Sequence, residues 1–416
     1  MTWDGATPRH ACEASEATNG EAWECSADLV GLGAPPGDLT FYFDVNFDAS
    51  DPADAVSHSP DGSRTVSFAS PPAAGWSKPR LVDRADCAAA AAGIDAGSRY
   101  HIAASCGGSI RYSVSKADGS WSTTMISRPS NREDRDPQIA FDGAVAYVAY
   151  SQVALTEGGC GDDGSRDVGV YYRQRILPDG GWSDAIRLGE VDDRLQAFRV
   201  DRGTLHATVR ATDGHVYYEM QNGDVFHRYL VADAVGATSL RVGSDGMARI
   251  AYVGKDSLRY ATSTGSRLSL VSITGSAAAE APVLVLGKGN LPHLLWTVND
   301  WQEGDCGPIL GPLAATYYAT LTNGKWVSAR ITSRVGPTSL TLDVDTGRVH
   351  AVIGGSGILY YTKATTGDWT WTTLTPAGAW VEPLIRLDPR TGTLLVVYVA
   401  KVNDGVTGDV YVITKP

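Results

Sequence analysis

Hydrophobic and polar positions alternate along most of the chain in short runs, and no run keeps the 3.6-residue spacing of an amphipathic helix. The clearest stretch covers residues 136–186. It holds four short runs rich in β-branched and aromatic residues, each separated from the next by a turn signal or a loop. Asp142-Gly143 lies between the first two runs, where such a pair favours a tight hairpin. The pattern predicts a four-stranded antiparallel unit.

The same order of features recurs along the chain at intervals of 42 to 60 residues. An aromatic residue marks the third strand of each copy: Phe68, Tyr112, Tyr172, Tyr218, Tyr260, Tyr318, Tyr361 and Tyr411. A large residue opens the fourth strand in most copies: Trp76, Trp121, Trp182, Phe226, Trp326 and Trp371. This period, with four strands per copy, is typical of propeller blades.

The repeats predict an all-β chain forming a single β-propeller domain over residues 1–416. First strands are expected near eight positions: Cys25, Cys87, Asp136, Gln196, Ser239, Pro282, Ser339 and Pro383. Eight blades are therefore favoured over seven, which would apply if residues 1–60 form a separate cap. The last copy has three strands, so residues 1–24 are expected to supply a closing strand, at Thr2-Trp3-Asp4, and a loop.

The turns between third and fourth strands resemble those of the sialidase-like propellers with BNR, or Asp-box, repeats. The matching turns, with Gly and Trp closer together than in the full motif, are 115–121, 179–182, 323–326 and 366–369. The resemblance implies the propeller fold, in which carbohydrate is a common ligand. The Arg-Ile-Pro signature of sialidases is absent, so no catalytic residue is carried over.

Composition narrows the classes of partner. The formal net charge is −12, and no basic stripe is present, which argues against nucleic acid. No stretch approaches the roughly 20 apolar residues of a membrane span. The even cysteine count without a CxxC pair favours disulfides in an exported protein over scattered reduced thiols. The candidates are Cys12, Cys25, Cys87, Cys106, Cys160 and Cys306.

Long insertions are expected on one face of the ring, over residues 48–64, 152–167 and 297–314. The last two contain similar runs, at 157–161 and 303–307, each with a glutamate and a cysteine. Cys160 and Cys306 could bridge the two loops, or each could pair elsewhere. Long loops on one face of a rigid scaffold are where binding usually occurs.

Asp-Arg pairs precede three consecutive first strands, at 83–84, 134–135 and 193–194. Their guanidiniums could converge on an acidic sugar, or the pairs could pin neighbouring blades together. Exposed tryptophans suit stacking on sugar rings, although a loop could equally pack on its own tryptophan. The candidate ligand-binding residues are Arg84, Arg135, Arg194, Asp136, Glu157, Trp301, Glu303 and Trp380.

Four histidines begin second strands, at His101, His206, His293 and His350. Recurrence at one blade position favours a packing role over metal binding. No metal site and no cofactor are identified, and structural calcium stays an alternative because acidic residues cluster in Gly-rich loops without EF-hand spacing.

Three functions follow as expectations. The first is a secreted, lectin-like propeller that recognises a glycan, acidic if the arginines converge, through the loop-rich face. The second is a glycoside hydrolase or polysaccharide lyase acting on acidic glycans, which needs an acid/base pair beside the arginines. The third is a propeller that docks a protein partner.

Overall fold

The computed structural model describes residues 73–129, 131–155, 165–264, 267–273, 279–299, 314–375, 380–401 and 407–416. It also describes the backbone of short strands within 15–66 and 301–310. Contacts divide the chain into two compact units, one of residues 1–71 with 375–378 and one of 72–374 with 379–416. The first holds two strand pairs: β1 (Ser15–Glu16) with β2 (Trp23–Glu24), and β3 (Leu39–Tyr42) with β4 (Ser63–Val66).

The second unit is built from antiparallel strands that pair with their neighbours in chain order. The 15-residue strand β5 (Arg80–Ile94) opens it. Its second half pairs with β6, and a bulge beside Cys87 separates the two halves. Sheet 1 is this half with β6 (Tyr100–Cys106), β7 (Ser109–Ser115) and β8 (Trp121–Met125).

Sheets 2 to 4 are complete four-stranded repeats, each ordered from an inner to an outer strand. Sheet 2 is β9 (Arg132–Asp142), β10 (Val145–Leu155), β11 (Ser165–Ile176) and β12 (Ile186–Val191). Sheet 3 is β13 (Arg194–Asp201), β14 (Thr204–Arg210), β15 (Val216–Asn222) and β16 (Val225–Leu230). Sheet 4 is β17 (Ala234–Val242), β18 (Ala248–Gly254), β19 (Leu258–Ser263) and β20 (Leu268–Ser272).

Sheet 5 carries an inserted hairpin and a 3-10 turn at Lys288–Asn290. Its strands are β21 (Ala279–Leu286), β22 (Pro292–Val298), then the hairpin β23 (Trp301–Gly304) and β24 (Gly307–Leu310), then β25 (Ala315–Thr322) and β26 (Lys325–Thr332). Sheet 6 is β27 (Thr338–Leu342), β28 (Val349–Ile353), β29 (Ile358–Lys363) and β30 (Thr370–Thr375).

Sheet 7 takes its outer strand from the start of the same unit. Its first three strands are β31 (Trp380–Leu387), β32 (Leu394–Lys401) and β33 (Gly408–Lys415). The first half of β5 pairs with β33, and Ser77 donates its backbone N–H to the Thr414 carbonyl at 2.8 Å. The strand that sequence assigned to the first copy, opening at Trp76, therefore completes the last one.

The seven sheets pack face to face through aliphatic and aromatic side chains. Each of seven buried clusters joins one sheet to the next, and the cluster around Leu395 and Cys106 joins sheet 7 to sheet 1. This is the all-β propeller that the repeats predict. The fourth strand of the last copy is the first half of β5, not Thr2-Trp3-Asp4 as expected, because β33 pairs with β5. The expected copy from Cys25 falls in residues 1–72, of which only four short strands are described. The count of eight blades and the single domain therefore stay predictions.

The repeated aromatic positions form one interlocking motif. Each of the four buried second-strand histidines shares a hydrogen bond through Nδ1 with a third-strand tyrosine hydroxyl. In four places a tryptophan of the next sheet packs edge-on against a third-strand tyrosine, as Trp182 does against Tyr112 and Trp369 against Tyr318. Burial lowers the pKa of each of these histidines to about 4, so they are neutral, as a packing role requires. In sheet 6 the partner is Tyr360, the neighbour of the predicted Tyr361.

Candidate functional site

The ends of sheets 2 and 3 that face the long loops bring charged residues together, and we call this group the rim cluster: Arg135, Asp136, Asp167, Asp192 and Arg194. They come from the start of β9, the start of β11, the turn before β13 and the first residue of β13. In a propeller the loops between second and third strands and those between blades share one face. The end of β10 at Leu155 and the start of β11 at Ser165, which residues 156–164 connect in sequence, lie on this face.

A bulge in β9 fixes the position of Asp136. The register with β10 shifts, so that Asp136 and Pro137 together oppose one residue of β10. Pro137 has no backbone N–H to give to the ladder, which favours a bulge at this point. Asp136 has a φ of +52°, in the left-handed region. Ala281, at the corresponding bulge of sheet 5, also has a positive φ, of +43°. The bent backbone is therefore shared by two sheets, whereas sheet 2 has an aspartate at this position and sheet 5 an alanine.

Ion pairs hold the arginines of the rim cluster. Arg194 donates from Nε and Nη2 to Oδ2 of Asp136, at 3.1 and 3.0 Å, and so links sheet 3 to sheet 2. Arg135 donates from Nε and Nη2 to Oε2 of Glu133, at 2.8 and 2.6 Å. The side chain of Arg194 is 51% exposed, so its remaining donors are open to a ligand.

Asp167 is the least compensated carboxyl of the cluster. It is half-buried, and burial raises its pKa. The charges of Arg194 and Arg135 lower that pKa, whereas those of Asp136 and Asp192 raise it. Within the described ranges, Asp167 makes no side-chain hydrogen bond, and Oδ1 of Asp192 is buried without a partner. A carboxyl in this setting is suited to holding a proton that it can give to a ligand.

The other predicted residues lie elsewhere or outside the described side chains. Arg84 is exposed on β5, and no contact among the described residues joins it to Arg135 or Arg194. Trp301 and Glu303 lie in β23, and Trp380 is the first residue of β31; only their backbones are described. Glu157 is outside the described residues.

The aspartates of the three Asp-Arg pairs have a different role from the arginines. All three are buried and paired: Asp83 with Arg111 at 2.5 and 2.9 Å, Asp134 with Gln152 at 3.0 Å, and Asp193 with Arg228 at 2.7 and 3.1 Å. They hold the first strands in place. Arg194 joins sheet 3 to sheet 2 by pairing with Asp136 rather than with its own motif aspartate.

Cys87 and Cys106 form a disulfide between β5 and β6. The other four cysteines, including the expected Cys160–Cys306 bridge, lie outside the described residues. Among the described side chains, no group of three His, Cys, Asp or Glu residues could hold a metal ion. Within that same portion, no helix has the length and apolar character to cross a membrane.

Sequence reasoning did not single out Asp167 or Asp192. Asp167 enters the sequence analysis only as the last residue of the predicted insertion 152–167. A usable signal was present, because Asp167 ends the long insertion and Asp192 precedes an Asp-Arg pair, so both occupy loop-side ends of neighbouring strands.

Comparison with known proteins shows the fold. Neither a family model nor the sequence of a curated protein matches the chain. Among the solved structures that match it, three have TM-scores of 0.50 to 0.51. The α-L-arabinanase of Penicillium chrysogenum with arabinobiose is 9% identical and covers 81% of this chain and 98% of its own. The GH93 α-L-arabinofuranosidase of Fusarium graminearum with arabinobiose is 12% identical, with 82% and 98% covered. YCF48 bound to D1 peptide is 12% identical, with 82% and 94% covered.

These matches confirm the expected sialidase-like β-propeller at the level of fold. At such identities they assign no residue and no reaction to this chain.

Proposed function

We propose that this chain is a glycoside hydrolase that acts on an acidic glycan at the rim cluster. The observation that carries the proposal is Asp167, a half-buried carboxyl with a raised pKa that lies within the fields of Arg135, Arg194 and a second carboxylate, Asp136. Glycoside hydrolysis needs a protonated carboxylic acid and a second carboxylate on the other side of the bond. A lectin needs no proton donor, so the cluster favours hydrolysis over binding alone.

The roles divide by environment. Burial disfavours the charge of Asp167 and raises its pKa, so Asp167 is assigned to protonate the leaving glycosidic oxygen. Asp136 is held in place by its ion pair with Arg194, and it acts as the second carboxylate. Arg135 and Arg194 present planar forks of donors that fit the carboxylate of a uronic or sialic residue.

Two further observations support a glycan in an extracellular setting. Two of the three structures described above are an α-L-arabinanase and an α-L-arabinofuranosidase, each in complex with arabinobiose. The Cys87–Cys106 disulfide favours an oxidising compartment, where polysaccharides are abundant. The disulfide thus supports an extracellular setting for the proposed activity.

The test is digestion of acidic polysaccharides, such as polygalacturonate and hyaluronan, with neutral arabinan as the comparison. We expect new reducing ends from an acidic polymer without the ultraviolet absorbance of unsaturated products. Arg194→Gln is expected to raise KM about tenfold, because it removes a charge-assisted contact of about 1.5 kcal/mol. The matched control is Arg202→Gln, which changes an exposed arginine paired with Asp201 at the other end of sheet 3.

Each other outcome overturns the proposal. Unsaturated products would make the protein a polysaccharide lyase. Glycan binding without products would make it a lectin. Activity on arabinan alone would contradict an acidic substrate. An equal KM for Arg194→Gln and Arg202→Gln would contradict recognition of the substrate by Arg194.

A further inference from the structure

Three arginines occupy the same position on three inner strands, close to the end opposite the rim cluster. Arg199 lies on β13, Arg241 on β17 and Arg386 on β31, each one or two residues before the end of its strand. Each follows a fully buried residue and donates from Nη1 to the carbonyl of that residue: Phe198, Leu240 and Ile385. The corresponding residues of the other four inner strands are uncharged: Gly93, Ala140, Val285 and Thr341.

The three residues occupy equivalent positions on inner strands that surround a common space. The inner strands contact one another in chain order from β5 to β31, and β31 contacts β5. Sheets 3 and 7 are separated by two sheets on one side and three on the other. The charge of Arg386 nevertheless acts on Arg199, which indicates that these two side chains approach each other across that space. Arg386 also reaches sheet 1, donating from Nε to the Ala92 carbonyl at 2.8 Å.

These charges lack the partners that other buried arginines have. Arg249 lies directly across from Arg241 and is paired with Asp245 at 2.7 Å. Within the described part of the chain, no carboxylate lies within 4.0 Å of the guanidinium of Arg199, Arg241 or Arg386. Burial and the like charge of Arg386 lower the pKa of Arg199 to about 9, and burial lowers that of Arg386 to about 10.

We propose that Arg199, Arg241 and Arg386 form a binding site for a small multivalent oxyanion, such as inorganic phosphate or sulfate, in the central channel of the propeller. A guanidinium gives charge-assisted, often bidentate hydrogen bonds to such an ion. One bound dianion would offset the repulsion of cations held in a surrounding of low dielectric. The site is separate from the rim cluster, since five residues of extended β13, about 17 Å, separate Arg194 from Arg199.

The test measures thermal unfolding and calorimetric binding with phosphate, sulfate and sodium chloride at equal ionic strength. For the wild type we expect phosphate or sulfate, but not chloride, to raise Tm by several degrees. In Arg199→Gln/Arg386→Gln we expect that increase to vanish and the affinity to fall at least tenfold. Without added oxyanion, the Tm of this variant should equal or exceed that of the wild type, because like charges have been removed. Arg202→Gln is the matched control and should respond as the wild type does.

An equal response of the wild type and the double variant, or an equal effect of chloride, would overturn the proposal. Binding of an oligouronate, without binding of free phosphate or sulfate, would also overturn it, because the ligand would then be the carboxylate of a glycan. If the double variant does not fold, Arg241→Gln takes its place and is expected to weaken binding of the free ion. Unchanged affinity in Arg241→Gln would contradict a three-arginine site. These outcomes are independent of glycan cleavage at the rim.

Discussion

Two charged clusters lie side by side at the loop-side end of β13, and they differ in burial. Asp193 and Arg194 are consecutive residues whose side chains go to opposite sides, as in a strand. Asp193 is 1% exposed and joins Arg228 and the fully buried Glu219 in a closed network. Arg194, 51% exposed, joins Asp136 in the rim cluster. We call the first group the inner network.

The same residue types, aspartate and arginine, stabilise the fold where they are buried and are available to a ligand where they are exposed. In the inner network, Arg228 bonds to Asp193 at 2.7 Å and to Glu219 at 2.6 Å, and it stacks over the Tyr217 ring. No ligand can enter it. In the rim cluster the pairs are open, and Asp167 is left with a raised pKa.

The largest expected effect is that of breaking the inner network. Arg228→Met leaves two buried carboxyls without their cation and should lower the free energy of unfolding by about 3–5 kcal/mol. Arg194→Met removes an exposed pair and should cost less than about 1 kcal/mol. Denaturant unfolding of both variants measures the difference. Equal losses would mean that the two clusters share one role.

A smaller effect should follow from crowding the inner network. A Cβ at Gly189 would lie 2.3 Å from Oε2 of Glu219, and Gly189 has a φ of +75°. Gly189→Ala should therefore destabilise the fold by about 1–3 kcal/mol. Gly181→Ala is the control, because a Cβ there meets no atom within 4 Å. If both variants unfold at the same denaturant concentration, Glu219 is not confined as described.

A further expected effect concerns pH. Burial raises the pKa of Glu219 from 4.5 to about 8, with the Asp193 charge acting in the same direction. A raised pKa means that the folded state holds this proton more tightly, so its contribution to stability is complete below pH 4.5 and is lost as pH rises through about 8. Glu219→Gln should flatten the decline of stability between pH 5 and 9. A wild-type slope in the variant would show that Glu219 does not hold this proton.

Much of the fold was predictable because its signals are local and repeated. The third-strand tyrosines and the histidines that bond to them recur at one position per blade. Because each blade repeats the same packing contacts, the sequence is periodic. The partner of β33 was not predictable, because Trp76 fits the fourth strand of the first copy and of the last equally well. Their pairing is set by sheet geometry across more than 300 residues.

The candidate site was only partly predictable. Arg135, Asp136 and Arg194 were found from the Asp-Arg repeat and the expected loop face. Asp167 was missed because it carries no motif, and its raised pKa depends on burial and on charges from β9, β13 and the turn before β13. The burial of Asp193 beside an exposed Arg194 likewise follows from strand pleating against a particular neighbour, which sequence spacing alone does not reveal.

The most direct test of the account is the rate of glycosidic cleavage by Asp167→Asn on whichever acidic polymer the wild type cleaves. The amide keeps the shape of the side chain but cannot donate the catalytic proton, so kcat should fall about 100-fold or more with little change in Tm. Asp213→Asn, an exposed aspartate beside Tyr217 in sheet 3, should retain wild-type kcat. A kcat in Asp167→Asn equal to that in Asp213→Asn would contradict the assignment of the rim cluster as the active site.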